Sequence, residues 1–311
     1  VLRVHDRPGR SRRQLVVQIV QRLRTASSVV QRALDVPIVR RICSVLLAVL
    51  LLGLLQGVAE FLPVSSSGHL ALAQKLLGLE DVPLLFDVFL HLATLAAVCL
   101  FFRHKIAALF QSLWKVVTRQ ETEAGDRRYI LAVILTTLVT GVIGIFVEKA
   151  LPEMPIQVIF AGFILTAFML LLSSRIPDRE ERGGPDKAAP SWKQALLIGL
   201  AQGIGTLPGV SRSGSTISGA LFCGVTRELA GEFSFIASIP AILGAFLLEL
   251  KDIGQLGDAV GALPLAIGGI AAFASGLFAL AWLMKLIRNG KLSWFALYLI
   301  PLGILGLLFV H

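Results

Sequence analysis

Charge is what this sequence has least of. Only 16% of its 311 residues are Asp, Glu, Lys or Arg, against about 25% in an average soluble chain. Set beside 55% hydrophobic residues and a mean hydropathy of +0.79, that scarcity excludes an ordinary soluble domain. Cysteine is scarce too. Cys43, Cys99 and Cys223 each lie in apolar stretches without metal-like spacing, which excludes a disulfide framework and leaves them as small core side chains. A continuous basic surface is also missing. Residues 1–41 hold ten Arg against Asp6 and Asp35, leaving 19 basic and 18 acidic residues in the rest of the chain. The net charge of +9 is therefore a property of the tail, and a nucleic-acid partner is not indicated. The tail lacks the small-residue cleavage site of a signal peptide. Its stretch QLVVQIVQRLRTASSVVQRAL has the pattern of an amphipathic surface helix.

Apolar runs, by contrast, are plentiful. Six of them, roughly 84–102, 129–149, 156–174, 232–250, 262–285 and 293–310, approach or exceed the about 18 residues that cross a bilayer. Two more apolar regions, about 42–79 and 193–226, are interrupted by Pro, Gly and serine clusters, which break a helix. Irregular backbone at membrane depth is tolerated only when buried in protein or lining a wet cavity.

These two interrupted regions are copies. LLQGVAEFLPVSSSG begins at Leu54 and LAQGIGTLPGVSRSG at Leu200. At one constant offset Leu54, Gln56, Gly57, Val64, Ser65, Ser67 and Gly68 match Leu200, Gln202, Gly203, Val210, Ser211, Ser213 and Gly214. Each copy is followed by three apolar spans. If each copy is a re-entrant hairpin, an odd number of spans separates them, and the second half is inverted relative to the first. Paired interrupted segments of this kind point to a binding site at the membrane midplane. The expected fold is an all-α polytopic membrane protein, six transmembrane helices plus two re-entrant helical hairpins in an inverted-topology repeat. Repeat one covers 42–174, a cytoplasmic linker 175–192, and repeat two 193–311. In this topology the loops 103–128, 175–193, 225–231 and 285–292 share one face and carry fifteen Lys/Arg, which places that face in the cytoplasm. The Arg-rich tail then lies outside, against the same rule, so residues 1–41 are expected to be an extension not native to the fold.

The copies differ in their ionisable residues. The first has Glu60 and His69 where the second has Thr206 and Ser215, and the second has Arg212 where the first has Ser66. An ionisable group at membrane depth is costly and is a functional-site hypothesis by default. PGVSRSGST, from Pro208 to Thr216, is a glycine-bearing turn opening into a helical run, which suits an anionic oxygen. Arg212 adds a planar fork of donors suited to phosphate. Gln56 and Glu60, four apart on one helix face, are candidates to hold a divalent cation beside that phosphate. His69 follows Ser66 by three residues and is a candidate proton carrier. Together they describe metal-assisted phosphoryl transfer on a substrate whose remainder lies in lipid. Taken singly, each has a plainer reading. Ser65 is more often a helix cap, His69 an interior histidine, and Asp87 and Glu232 dipole partners at helix starts. His91 sits on an apolar span without a motif partner and reads as structural.

QGVAEFLPVSSSGHL resembles the (E/Q)xxxE segment of the bacitracin-resistance undecaprenyl-diphosphatases, and PGVSRSGST is similar to that family's PGxSRSxxT segment. The resemblance covers essentially all of 42–311, with the tail as the departure. It implies a multi-pass enzyme of the bacterial cytoplasmic membrane that hydrolyses undecaprenyl diphosphate to the monophosphate, recycling the carrier for cell-wall synthesis and conferring bacitracin resistance. It also implies a pocket facing the outer, periplasmic side and dependence on Mg²⁺ or Ca²⁺. By motif position it assigns Gln56 and Glu60 to the metal. Ser65, Ser211, Ser213, Thr216 and Gly209 fall to the diphosphate, and Ser66, His69, Glu60 and Arg212 to catalysis. Ser66 as nucleophile with His69 as its base is one mechanism; His69 attacking phosphorus or activating water is the other. A polyprenyl-phosphate flippase built on the same inverted repeat is the alternative function. The expected partners are a polyprenyl diphosphate lipid and the membrane, with a homodimer admissible.

Overall fold

In a computed structural model of the chain, residues 37–78, 84–150, 154–177, 189–249 and 261–310 are described. The proposed amphipathic helix of the tail and most of the 175–192 linker lie outside them. The chain divides into Val1–Ala48 and Val49–His311. Of the first unit the described part is the start of a helix; the rest of that helix and all later elements belong to the second. Helices α1 (Pro37–Phe61) and α2 (Ser66–Leu77) form the first interrupted region. Then come α3 (Leu84–Phe101), α4 (Arg103–Val117), α5 (Ala124–Ala150) and α6 (Gln157–Ser174). The second repeat runs α7 (Trp192–Ile204), α8 (Arg212–Phe222), α9 (Arg227–Glu249), α10 (Ala262–Arg288) and, after a 3₁₀ turn at Leu292–Phe295, α11 (Ala296–Phe309). Among the described residues there are no strands.

Two boundaries differ from expectation. The first arm is not short: α1 has 25 residues, and Ser44–Phe61 is apolar and long enough to span, whereas its counterpart α7 has 13. The boundary placed at 41/42 therefore falls inside a helix. Composition alone located the Pro–Ser break but not how far the helix extends before it. Second, the segment after 102 is not a loop. Helix α4 leaves α3 at 84°, with Phe110 and Trp114 exposed on one stripe and Lys105 and Lys115 elsewhere on its circumference. Six helices among the described residues are long and apolar enough to cross a membrane, or seven with the bent pair counted as one span. The protein is a polytopic helical membrane protein.

Packing follows the repeat. Helix α7 lies against α5 and α3 against α10, while α1 meets α10 where a Cβ on Gly53 would fall on the backbone of Gly268. Each first arm thus packs on the second span of the other half. Gly53-x-x-x-Gly57 and Gly199-x-x-x-Gly203 occupy equivalent positions in α1 and α7. A side chain at Gly57 would strike Ala272 and Gly276 of α10, and one at Gly203 would strike Ile143 of α5. Apolar solvation does not drive helices together in lipid, so close approach through small residues supplies the attraction instead.

Candidate active site

Two helix breaks build the site. In the first copy Pro63 follows the end of α1 and cannot donate to the helix ladder. The chain turns through 62–65 and restarts at Ser66, with Ser65 Oγ accepting from the Gly68 amide at 3.4 Å. In the second, α7 ends at Gly205 and α8 restarts at Arg212, with Ser211 Oγ accepting from the Gly214 amide at 3.1 Å. The matching V-S-x-S-G segments are therefore matching caps. Their turns are made differently. The second takes its positive φ of 79° at Gly209, whereas the first has proline at that register and takes it at Ser65, φ 72°. Proline cannot adopt positive φ, so the left-handed step moves to a serine, where it costs about 1–3 kcal/mol and marks a constrained site.

The two tips meet. Ser213 Oγ donates to the Phe61 carbonyl at 3.0 Å, satisfying a backbone group freed by the first break. The Ser211 amide likewise donates to Thr166 Oγ1 at 3.0 Å. At their junction lies Glu60, its side chain 4% exposed. Its Oε1 pairs with Arg212 Nη2. Its Oε2 accepts from Ser66 Oγ at 2.7 Å and from Gln56 Nε2 at 3.1 Å. His91 Nε2 lies 3.3 Å from the same oxygen. Ser66 and Arg212, the equivalent first residues of α2 and α8, thus share one carboxylate, and two helix N-termini converge on it. Partial positive charge from both helix ends, joined by a guanidinium, favours an anionic ligand.

The structure brings together Gln56, Glu60, Ser66 and Arg212. Ser65, Ser211, Ser213 and Thr216 lie in or beside the two tips. All four are buried; the first two cap helices, Ser213 holds Phe61, and Thr216 Oγ1 donates to the Arg212 carbonyl at 2.7 Å. They brace the tips. Gly209 likewise serves the turn, where a Cβ would strike the backbone of Ile159. His69 lies on the first turn of α2. Its Nδ1 donates to the Ser65 carbonyl at 2.8 Å, and its Nε2 lies 2.7 Å from the Tyr298 hydroxyl. Among the described residues no hydrogen bond joins it to Ser66, and the group holding the Ser66 hydroxyl is the Glu60 carboxylate. Two partners escaped the sequence reading. Tyr298 carries no motif signal. His91 does carry one, because the rule that singled out Glu60 and Arg212 as ionisable groups at membrane depth applies equally to it.

Beside the tips is a cavity of about 360 Å³, lined mostly by apolar side chains such as Leu70, Val88 and Ile159, with Ser67, Asp87 and His91 as its polar members. Among the described residues no three His, Cys, Asp or Glu side chains gather into a metal centre. One donor set does suit a hard cation. The Gln56 Oε1 is buried without a partner beside the Glu60 carboxylate, and Mg²⁺ commonly takes one or two protein oxygens together with substrate phosphates.

The fold and site define a class: polytopic helical membrane proteins in which the helix breaks of two sequence repeats meet around a buried charge cluster. Within that class the chain belongs to the family described as Bacitracin resistance protein BacA, which it matches over residues 49–305. It is 48% identical over 257 residues to an undecaprenyl-diphosphatase of Treponema denticola, covering 82% of this chain and 94% of that one. Proteins of the same description from Methanobrevibacter smithii, 41% identical over 268 residues, and Carboxydothermus hydrogenoformans, 40% identical over 260 residues, match 82% of this chain and 94% of their own length.

Proposed function

We propose that this protein hydrolyses undecaprenyl diphosphate to undecaprenyl phosphate and inorganic phosphate. The observation that carries the reading is the Glu60 junction, where a hydroxyl and a guanidinium from opposite hairpins are held on one buried carboxylate. In the proposed reaction the terminal phosphate enters between the two helix N-termini and takes the Arg212 guanidinium as its partner. Ser66 Oγ attacks the terminal phosphorus while Glu60 Oε2, already its hydrogen-bond acceptor, receives the proton. The bond from that phosphorus to the bridging oxygen breaks, and undecaprenyl phosphate leaves. Arg212 and the amides at the start of α8 stabilise the charge that develops on the equatorial oxygens. Water then attacks the phosphoserine phosphorus, the bond from phosphorus to Ser66 Oγ breaks, and Glu60 returns its proton to that oxygen as phosphate leaves.

Glu60 and Gln56 would hold a divalent cation, Mg²⁺ or Ca²⁺, which neutralises phosphate charge when bound. The fifteen basic residues within 103–128, 175–193, 225–231 and 285–292 support a cytoplasmic side for those segments, with the pocket open to the outer face. The comparisons lend no support to the flippase alternative, and a carrier has no use for a hydroxyl held on a buried carboxylate. The test is phosphate release from undecaprenyl diphosphate in detergent, with either cation and with EDTA, followed by mapping of trapped phospho-enzyme. Cation-dependent release with phosphate on Ser66 is expected. No release with either cation would reject the enzyme reading, and phosphate on His69 would reject the serine route.

A further inference from the structure

Helix α3 contributes a second polar pair, four residues apart on one face. Asp87 accepts from Gln74 Nε2 at 2.7 Å, tying α3 to α2. Its carbonyl oxygen lies 2.7 Å from His91 Nδ1. A carbonyl only accepts, so Nδ1 carries a proton and the ring orientation is set. Nε2 then points at Glu60 Oε2, 3.3 Å away. The imidazole ring is therefore held against that carboxylate by its own helix. It forms part of the cavity wall with Asp87 and has the Glu60 carboxylate in front of it.

Glu60 is thereby held from two sides by two halves of the protein. Arg212, from the second repeat, takes Oε1; His91, from the first, takes Oε2. Only Arg212 stands at the mouth of a helix N-terminus where phosphate is expected. When an anionic ligand draws the guanidinium away, Oε1 loses its cationic partner. The carboxylate must nevertheless stay aimed at the Ser66 hydroxyl. We propose that His91 is the positioning residue that keeps Glu60 oriented toward Ser66 while Arg212 is engaged by substrate. Gln56 donates to the same oxygen from the same helix as Glu60; His91 is the ring-locked partner that reaches it from α3. The Gln74–Asp87–His91 chain explains why α3 holds the imidazole so firmly.

This inference rests on the phosphatase reading, and the experiment separates the two. Steady-state phosphate release is measured for wild type and for His91→Leu, His91→Gln and His91→Asn, each checked for monodispersity and melting temperature in detergent. Gln reaches as far as the imidazole Nε2 and donates there; Asn is polar but too short. Loss of an orienting partner of this kind typically lowers activity about 10–100-fold. His91→Leu and His91→Asn are expected to lose kcat by about that factor, with KM changed by less than about threefold, since Glu60 is not the substrate's main anchor. His91→Gln should recover most of the loss. Wild-type kcat in His91→Leu, or equal loss in His91→Gln and His91→Asn, would overturn the proposal. A loss confined to KM would do the same. Should His91→Leu fail to fold, the Gln–Asn contrast decides alone. Absence of wild-type phosphate release would instead strike the phosphatase reading.

Discussion

Removing Arg212 should separate two things that the Glu60 junction does. The guanidinium is one-fifth exposed, while the carboxylate it pairs with is 4% exposed. Breaking a buried pair from one side leaves a charge with reduced compensation, typically at about 3–5 kcal/mol. Here Ser66, Gln56 and His91 still contact the carboxylate, so Arg212→Ala belongs at the lower end, about 3 kcal/mol. In catalysis the loss is larger, because a single donor aimed at developing charge contributes about 10²–10³ in kcat. The double variant Glu60→Gln/Arg212→Met removes both charges together. It should recover much of the stability, as paired replacements of buried ion pairs commonly do, but none of the activity. The assays are phosphate release and thermal unfolding followed by tryptophan fluorescence in detergent. A kcat for Arg212→Ala within tenfold of wild type would refute the catalytic role. A double variant that melts as low as the single one would refute the role of the buried charge.

Two other outcomes rest on the packing and on the placement of His69. Gly57→Ala should lower the melting temperature more than Gly203→Ala, because the new methyl meets the α10 backbone in the first case and the Ile143 side chain in the second; equal shifts would contradict the backbone clash. Tyr298→Phe removes the hydroxyl paired with His69 Nε2. It should reduce kcat by less than about tenfold if the Ser66 proton passes to Glu60, and a loss as deep as that of Ser66→Ala would return His69 to the role of general base.

Much of this protein is legible one residue at a time. Scarce charge and long apolar runs define a helical membrane protein because lipid cannot solvate polar side chains or unpaired backbone. The register between V-S-S-S-G and V-S-R-S-G marks the two breaks, since Pro63, Pro208 and Gly209 act through local backbone geometry. Glu60 and Arg212 stand out because a charge is costly in an apolar neighbourhood. The Gly53–Gly57 and Gly199–Gly203 spacings were equally readable, as close-packing signals.

Other features depend on which groups the chain meets after folding. A hydroxyl's partner is a matter of distance in space, which is why Ser66 pairs with Glu60, six residues before it, and not with His69, three after. Arg212 reaches Glu60 across 152 positions, and Tyr298 reaches His69 across 229; no local pattern encodes either contact. His91 is the clearest instance. On its own helix, in FDVFLHLATL, it has only Asp87 and Thr94 as polar neighbours, and neither points to Glu60. Tertiary packing delivers the Glu60 carboxylate to its ring, and only there does the imidazole acquire a role. The sequence by itself determined the membrane class, the repeat and the residue types at the tips, because these depend on composition and backbone chemistry. The tertiary structure alone decided which of those residues act on one another, because that depends on how the inverted halves bring distant segments to one carboxylate.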